Sequence, residues 1–499
     1  MVSRLNGYLT WLEAMDPVPD AISHTEPDPP DEVAAGKWLT FLAVAVGVFM
    51  STLDGSIVNI ALPSIMADLE APMAVVEWVM VVYLLIISSL LLSFGRLSDI
   101  RGRRWVYTRG LLVFSVGSLA CGAAETAFWL IAARALQGLG AAMIMACTQA
   151  IVVDTFPRKE RGRALGTVGA VVASGLTLGP ALGGWLIHHF SWSAIFYINV
   201  PIGLATAVAA NRMLRGTPSD TRRREPFDLL GAALLAVSVA AMVFVVTHGR
   251  EWGWRHPALL GLTALWGVTG LGLVRQELAV EHPILSPALL RIRLFSLPIL
   301  SLLVIFGALF SIIFLMPFYL IHPMGLPVKT AGYLMVTPFV FLFLVAPASG
   351  AISDRIGSRL LCTLGMLCMA ASLLSLARLT ADAPLLAVIW RLALAGIGTA
   401  VFMAPNNAAA MGAVPIRHMG VAAGTVAMVR NLGMVLGIAL AATVFNTVFA
   451  RLTGGLDLQV YRPELQSAFM TAFQAAMTAG GVLAGVGVLI TYFRGPEKR

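Results

Sequence analysis

A single carboxylate interrupts the first long apolar run of the chain. Asp54 follows the beginning of the run 39–62 by about sixteen residues, or roughly 24 Å of helix, which predicts a position in the outer part of a membrane. A charged carboxylate in hydrocarbon is costly unless it is paired or protonated. Such a side chain can take up and release a proton, which is what a proton-coupling site needs. A fixed ion pair and a helix-end cap are the alternatives.

Arg134 is the predicted partner of Asp54. It lies near the start of the run 127–153, which crosses in the opposite direction, so both side chains should reach a similar depth. An arginine that faces lipid is costly, so we expect this one to face the protein interior. The pair is either a proton-coupling switch, in which protonation of Asp54 frees Arg134, or a permanent structural salt bridge.

A second group of charges lies where apolar runs end. After the second run, Asp99 lies between Gly95 and Gly102, and Arg103 directly follows Gly102. Asp154 lies at the end of the fourth run. Their types and spacing predict a charge network that latches one conformation, and therefore a conformational gate. Asp99 could also cap the helix that follows it.

Amides and one arginine inside other apolar runs are candidates for lining a substrate cavity. Amide side chains hydrogen-bond to substrates or to neighbouring helices, so cavity lining and interhelical contact both stay open. The candidates are Asn59, Gln137, Asn199, Asn406, Asn407 and Arg430.

The elements that position these residues must be membrane-spanning helices. The chain is 58% hydrophobic and only 12% charged, whereas a soluble protein is roughly 25% charged. Lipid satisfies no backbone hydrogen bonds, so helices are required. With roughly 20 residues per span, about fourteen runs qualify, from 39–62 to 469–493. The sequence therefore predicts an all-α polytopic membrane protein.

The basic residues orient these spans. The net charge of +8 would suggest nucleic acid in a soluble protein, but Lys and Arg cluster in the loops after spans two, four and six. The positive-inside rule then places both termini in the cytoplasm and leaves no role for nucleic acid. The acidic, proline-rich segment 1–37 is expected to be a loosely held cytoplasmic tail, and 494–499 a short second one.

Two parallel repeats divide the chain. The segment 95–104 (GRLSDIRGRR) matches 350–359 (GAISDRIGSR), and 162–167 (GRALGT) matches 420–425 (GVAAGT) in the same order. Related halves that run in the same direction are typical of major facilitator folds, with a cavity between the halves near the midplane. We expect six-helix halves at 38–215 and 291–493, with a linker and two inserted helices within 216–290.

Five segments carry a resemblance to a known family: 53–63, 95–104, 134–142, 175–184 and 192–201. Through them the chain resembles the fourteen-helix drug:proton antiporter branch of the major facilitator superfamily. The resemblance covers about residues 38–447, and it implies that span four carries an arginine tied to proton coupling. It also implies that span five carries the antiporter signature, with the residues Gly175, Gly179, Pro180, Gly183 and Gly184.

Two departures from the family pattern affect function. Ile100 stands where the loop signature usually has a basic residue, which predicts altered docking of that loop. Some relatives carry a second acid near Tyr83, where this chain has Val81 and Val82, so recognition of divalent cations should be weaker.

The resemblance implies a proton-coupled antiporter that exports small lipophilic or cationic compounds across the bacterial inner membrane. It would use the proton gradient and no cofactor, and act as a monomer unless a periplasmic adaptor joins it. An exporter of one defined metabolite, siderophore or lipid is the alternative. A membrane enzyme, an ATP-driven pump and a metal site are disfavoured, because the sequence has no DDxxD, HxxxxD, GxxxxGK[ST] or CxxC pattern.

Overall fold

The chain is described by a computed structural model that covers residues 31–214, 228–249, 255–280, 287–414, 419–456, 458 and 461–494. Regular structure within these residues is helical throughout. The helices are α1 Asp31–Asp68, α2 Met73–Arg101, α3 Arg103–Gly122, α4 Ala127–Thr155, α5 Arg158–His189, α6 Ala194–Tyr197, α7 Asn199–Met213, α8 Leu229–His248, α9 Pro257–Ala279, α10 Pro287–Arg291, α11 Arg293–Ile321, α12 Val328–Met335, α13 Thr337–Ile356, α14 Ser358–Leu376, α15 Leu385–Gly412, α16 Met419–Leu452 and α17 Gln466–Tyr492.

Twelve stretches of the described helices are long and apolar enough to cross a membrane. Two further predicted spans, about 105–124 and 228–247, correspond to α3 and α8. Helix α3 carries three arginines and several small polar residues, and α8 contributes only a short apolar stretch, Leu230–Val246, so both fall below this criterion. The number fourteen therefore stays a prediction.

The repeated loop motif has a conformational cause. Gly102 separates α2 from α3 with φ 93°, and Gly357 separates α13 from α14 with φ 85°. Side chains with a Cβ rarely adopt this region, so glycine is required at the same offset in both repeats. The chain breaks there and starts the next helix at once.

The two halves pack their helices in the same pattern. Helix α1 packs on α5, α3 on α4, α2 on α4 and α3 on α7. The equivalent pairs in the second half are α11 with α16, α14 with α15, α13 with α15 and α14 with α17. This recurrence is the three-dimensional counterpart of the sequence repeat, while the predicted bounds of the two halves stay a prediction.

Among the described residues, two helix seams form the main contacts between the halves: α2 packs on α16, and α5 packs on α12. We call the end of the bundle where α2 meets α3 the charged end, and the opposite end the far end. Every residue from Val304 to Leu320 in the far-end part of α11 is buried, whereas Leu300 and Leu303 toward the charged end are exposed or part-exposed. The central helices are thus enclosed at the far end.

The inserted pair α8 and α9 lies against only one seam. Helix α8 contacts both α2 and α16, and α9 packs on α8 with most of its apolar side chains exposed. Asp228 caps α8 by accepting a hydrogen bond from the Gly231 amide at 2.8 Å and accepts another from Gln276 of α9 at 2.9 Å.

Candidate functional site

Asp54 lies near the middle of the span Lys37–Asp68 and is fully buried, with 0% of its surface exposed. It is roughly 26 Å along the helix from Lys37 and roughly 21 Å from Asp68. The carboxylate is therefore nearer the centre of the span than its expected position in the outer part, because the span continues to Asp68, six residues beyond the predicted run 39–62.

Arg134 of α4 forms an ion pair with Asp54, as the depth argument predicts. Its guanidinium also donates to the Val79 carbonyl at 3.0 Å and lies 4.0 Å from the centre of the Tyr83 ring. Helix α2 thus supplies a carbonyl and an aromatic face to a side chain that is only 1% exposed. A buried arginine held by three different groups has little freedom to move unless one contact is lost.

Gln137 and Asn199 hold the other oxygen of the carboxylate. The Gln137 amide donates to Asp54 Oδ1 at 2.8 Å, and the Asn199 amide donates to the same atom at 2.9 Å. Gln137 also donates to Ser118 at 2.6 Å and accepts from Arg134 at 2.5 Å. Both amides, which the sequence nominated for the substrate cavity, lie buried within the first half around Asp54.

Sequence reasoning did not nominate Ser118 or Tyr83. Ser118 lies in α3 among small residues, and no charge or motif marks it. The Tyr83 hydroxyl donates to the Ser51 carbonyl at 2.8 Å, which fixes the ring beneath Arg134. Aromatic spacing across from an arginine is the one signal that could have indicated Tyr83.

The cluster of Asp54, Arg134, Gln137 and Asn199 balances two opposing effects. Full burial disfavours the charged carboxylate, whereas a guanidinium and two amide donors stabilise it. The pair survives in a low-dielectric interior because its hydrogen-bonding groups are satisfied. Adding a proton to Asp54 would remove the ion pair and leave Arg134 with weaker partners, so the cluster has two chemically distinct states.

The glycines of the antiporter segment explain how α5 packs. Cβ atoms built on Gly175, Gly179 and Gly183 would meet α1, for example at 2.9 Å from the Ser56 Cβ for Gly179. Ser56 donates to the Gly175 carbonyl at 3.1 Å. Gly184 faces the other half, where an added Cβ would lie 2.9 Å from the Val328 carbonyl oxygen.

Pro180 lies inside the same helix and near the same seam. Its carbonyl is the closest neighbour of a Cβ built on Gly332 of α12. Helix α5 therefore contacts the helix that carries Asp54 on one side and the second half on the other.

The predicted gate residues meet at the charged end. Arg103 pairs with Asp154, donates to the Ala150 carbonyl at 2.7 Å and lies 3.5 Å from Asp99. The network is formed within the first half, joining the α2–α3 junction to the end of α4. Gly102 supplies the positive φ of that junction, whereas a Cβ on Gly95 would meet nothing within 4 Å.

The other cavity candidates lie apart from the Asp54 cluster or carry unused polar atoms. Asn406 donates to the Pro298 carbonyl at 3.1 Å. Among the described residues, no hydrogen-bond partner exists for either polar atom of Asn59, for Oδ1 of Asn406 and Asn407, or for Nε of Arg430. Likewise, the described part of the chain holds no group of three or more His, Cys, Asp or Glu side chains arranged to bind a metal ion.

Comparison with known proteins identifies the family. The profile of the Major Facilitator Superfamily matches residues 44–438. The chain belongs to the Major Facilitator Superfamily. The riboflavin transporter RibZ of Clostridioides difficile is 33% identical over 457 residues, 92% of this chain and 97% of that protein. The multidrug resistance protein Stp of Mycobacterium tuberculosis is 33% identical over 410 residues, 81% of this chain and 75% of that protein.

Solved structures agree on the fold. A bacterial homolog of the human lysosomal transporter Spinster, crystallised in an inward-facing and unoccupied conformation, superposes with a TM-score of 0.64 at 16% identity. The match covers 92% of this chain and 97% of that one. This member of the Major Facilitator Superfamily is thus an all-helical, multi-pass membrane transporter and not an enzyme.

Proposed function

We propose that this transporter is a proton-coupled antiporter that exports small lipophilic or cationic compounds across the bacterial inner membrane by alternating access. The observation that carries the proposal is the Asp54–Arg134 ion pair, buried near the middle of a membrane span and held by Gln137 and Asn199. The name of the relative Stp, a multidrug resistance protein, supports the cargo class.

In the proposed cycle a proton from outside neutralises Asp54 and releases Arg134 from its ion pair. Helix α5 then relays the change, because its glycines contact α1 on one face and α12 on the other. Cargo leaves as the proton binds, and release of the proton inside resets the pair. The network of Asp99, Arg103 and Asp154 biases the two end states from the charged end.

The test uses inverted membrane vesicles with an imposed inside-acid pH gradient and a panel of lipophilic compounds, cations included. Proton release on addition of each compound is recorded for the wild type and for Asp54→Asn. The matched control is Asp68→Asn, because Asp68 is an exposed carboxylate at the end of the same helix.

We expect compound-dependent proton release from the wild type and from Asp68→Asn, and none from folded Asp54→Asn. Normal proton release by Asp54→Asn would refute the coupling site. If the folded wild type releases no protons with any compound, export of lipophilic compounds is refuted.

Export of one defined metabolite is the second candidate, and the match to RibZ over 97% of that protein favours it. Riboflavin uptake into the same vesicles tests it directly. If riboflavin accumulates saturably and the lipophilic panel does not inhibit this accumulation, the protein is an exporter of one defined metabolite and not a multidrug exporter.

The membrane topology is also proposed: fourteen spans with both termini in the cytoplasm. It requires α8 and α9 each to cross the bilayer, with Arg255 between them on the outside. An alkaline phosphatase fused at Arg255 should be active, and one fused after the last residue should be inactive. An inactive fusion at Arg255 would show that α8 and α9 do not cross the bilayer.

A further inference from the structure

Helices α2 and α16, which pack on each other, contain buried polar atoms that hydrogen-bond to nothing in the described part of the chain. They are Oγ of Ser89 and of Ser93 on α2, and Nε of Arg430 and Nδ2 of Asn431 on α16. All four atoms are able to donate a hydrogen bond. Buried donors without acceptors are costly, so a set of them at one seam requires an explanation.

The α-carbons of these four residues lie within roughly 12 Å of one another along the helix axes. A Cβ built on Gly424 would meet the side chain of Leu92, so these residues fix the register of the two antiparallel helices. Ser89 and Ser93 flank Leu92 in sequence. Asn431 follows Gly424 by about two helical turns and therefore projects from the same face of α16 toward α2.

Arg430 marks a boundary in exposure along α16. On its face of the helix, Ala423 and Ala427 toward the charged end are part-exposed, as is Arg430 itself. Met434 and Ile438, farther along the same face, are buried. Arg430 lies roughly 14 Å along the helix from Val421 and is therefore well inside the span. Its guanidinium thus stands at the inner limit of the accessible part of the helix.

Within the described residues, no acidic side chain of the second half pairs with Arg430. The spans Arg293–Ile321, Leu385–Gly412 and Val421–Leu452 contain no acidic residue, and Arg430 forms no ion pair within the described residues. In the first half, Arg134 already neutralises Asp54. The arginine inside the span Leu385–Gly412, Arg391, is satisfied by the Ser375 and Ala387 carbonyls at 2.9 and 2.6 Å.

We propose that Ser89, Ser93, Arg430 and Asn431, which we call the anion seam, bind the acidic group of a lipophilic cargo. The cargo class is then an amphiphilic organic anion, with an apolar body and one carboxylate or similar group. A guanidinium and neutral donors in a low-dielectric site give strong charge-assisted hydrogen bonds to an anion and repel a cation. The inference rests on the proposed export function and narrows its cargo from lipophilic or cationic compounds to lipophilic acids.

The test measures binding to purified protein in nanodiscs of uncharged lipid with three probes that share one apolar body. They are 2-naphthylacetate, 2-(2-naphthyl)ethanol and 2-(2-naphthyl)ethylammonium. The variants are Arg430→Gln and Arg430→Lys, and Arg391→Gln is the matched control because its arginine is bonded to carbonyls. Thermal unfolding verifies that each variant is folded.

We expect the wild type to bind the carboxylate at least about 10-fold more tightly than the alcohol and to bind the ammonium weakest. Arg430→Gln should lose this preference while it still binds the alcohol, Arg430→Lys should keep part of it, and Arg391→Gln should keep all of it. Equal binding of the three probes by the wild type, tightest binding of the ammonium, or an unchanged preference in Arg430→Gln overturns the inference.

The proton-release assay separates this inference from the proposed function. Carboxylate preference that depends on Arg430, without compound-dependent proton release, refutes antiport and leaves the anion seam standing. Proton release driven by cations, with no effect of Arg430→Gln, supports antiport and overturns the anion seam.

Discussion

Replacing Arg134 by glutamine isolates what the buried ion pair contributes. The substitution leaves the Asp54 carboxylate at 0% exposure with the Gln137 and Asn199 amides as donors and no cation. Removing one partner of a buried pair costs about 3–5 kcal/mol, because the remaining charge is uncompensated. We expect Arg134→Gln to lower the free energy of unfolding by about this amount.

Asp54→Asn should cost less than Arg134→Gln. Arg134 would keep the Val79 carbonyl, the Gln137 side chain and the Tyr83 ring, and the proposed cycle itself passes through a state with a neutral residue 54. The double variant Asp54→Asn/Arg134→Gln contains neither charge and should recover most of the loss. The coupling energy between the two positions should reach about 2–3 kcal/mol.

The assay is a double-mutant cycle measured by SDS-induced unfolding of the purified protein at about pH 8 and about pH 5. In Arg134→Gln a proton on Asp54 removes the uncompensated charge, so its deficit should shrink at the lower pH. The double variant should show no such change. Additive losses in the two single variants, or a deficit in Arg134→Gln that is independent of pH, would refute the reasoning.

Three further outcomes follow from other parts of the molecule. Burial lowers the pKa of His322, beyond the end of α11, to about 4. The free energy of unfolding should therefore fall by on the order of 2–3 kcal/mol as pH drops from about 6.5 toward 4. The melting temperature should fall with it, and His322→Gln should flatten this pH dependence. Gly179→Ala should destabilise the protein by about 1–3 kcal/mol in thermal unfolding, because the added Cβ collides with α1. Gly169→Ala on the same helix has open space around it and should not destabilise the protein. Equal losses of stability in the two variants would contradict the packing argument. Asp154→Asn removes an exposed partner of Arg103. It should change stability by less than about 1 kcal/mol while it slows transport in vesicles, and an unchanged transport rate would exclude a gate.

The shared depth of Asp54 and Arg134 was predictable from the sequence, because a helix advances by a constant rise per residue. Counting residues from the ends of two apolar runs was enough to bring Asp54 and Arg134 together. The repeat was equally informative, since the motif around Gly102 and Gly357 recurs at the same offsets and the structure has the same helix break at both.

The direction in which each side chain points from its helix was not predictable. Membrane helices carry apolar residues on all sides, so no amphipathic pattern orients them. Gln137 and Asn199 were therefore nominated for a cavity between the halves, and the structure has them around Asp54. Ser118 could not be distinguished from other small residues of α3 for the same reason. The exposure boundary at Arg430 likewise emerges only from the packed helices.

The position of α8 on one side of the bundle affects the route by which cargo reaches the interior from the lipid. Helix α8 covers the α2–α16 seam, while no described helix covers the other seam. There α5 packs more closely on α12, at the far end, than on α13, toward the charged end. The two flanks of the transporter are thus unequal toward the leaflet at the charged end. We therefore expect a compound dissolved in the lipid to enter between α5 and α13 rather than past α8.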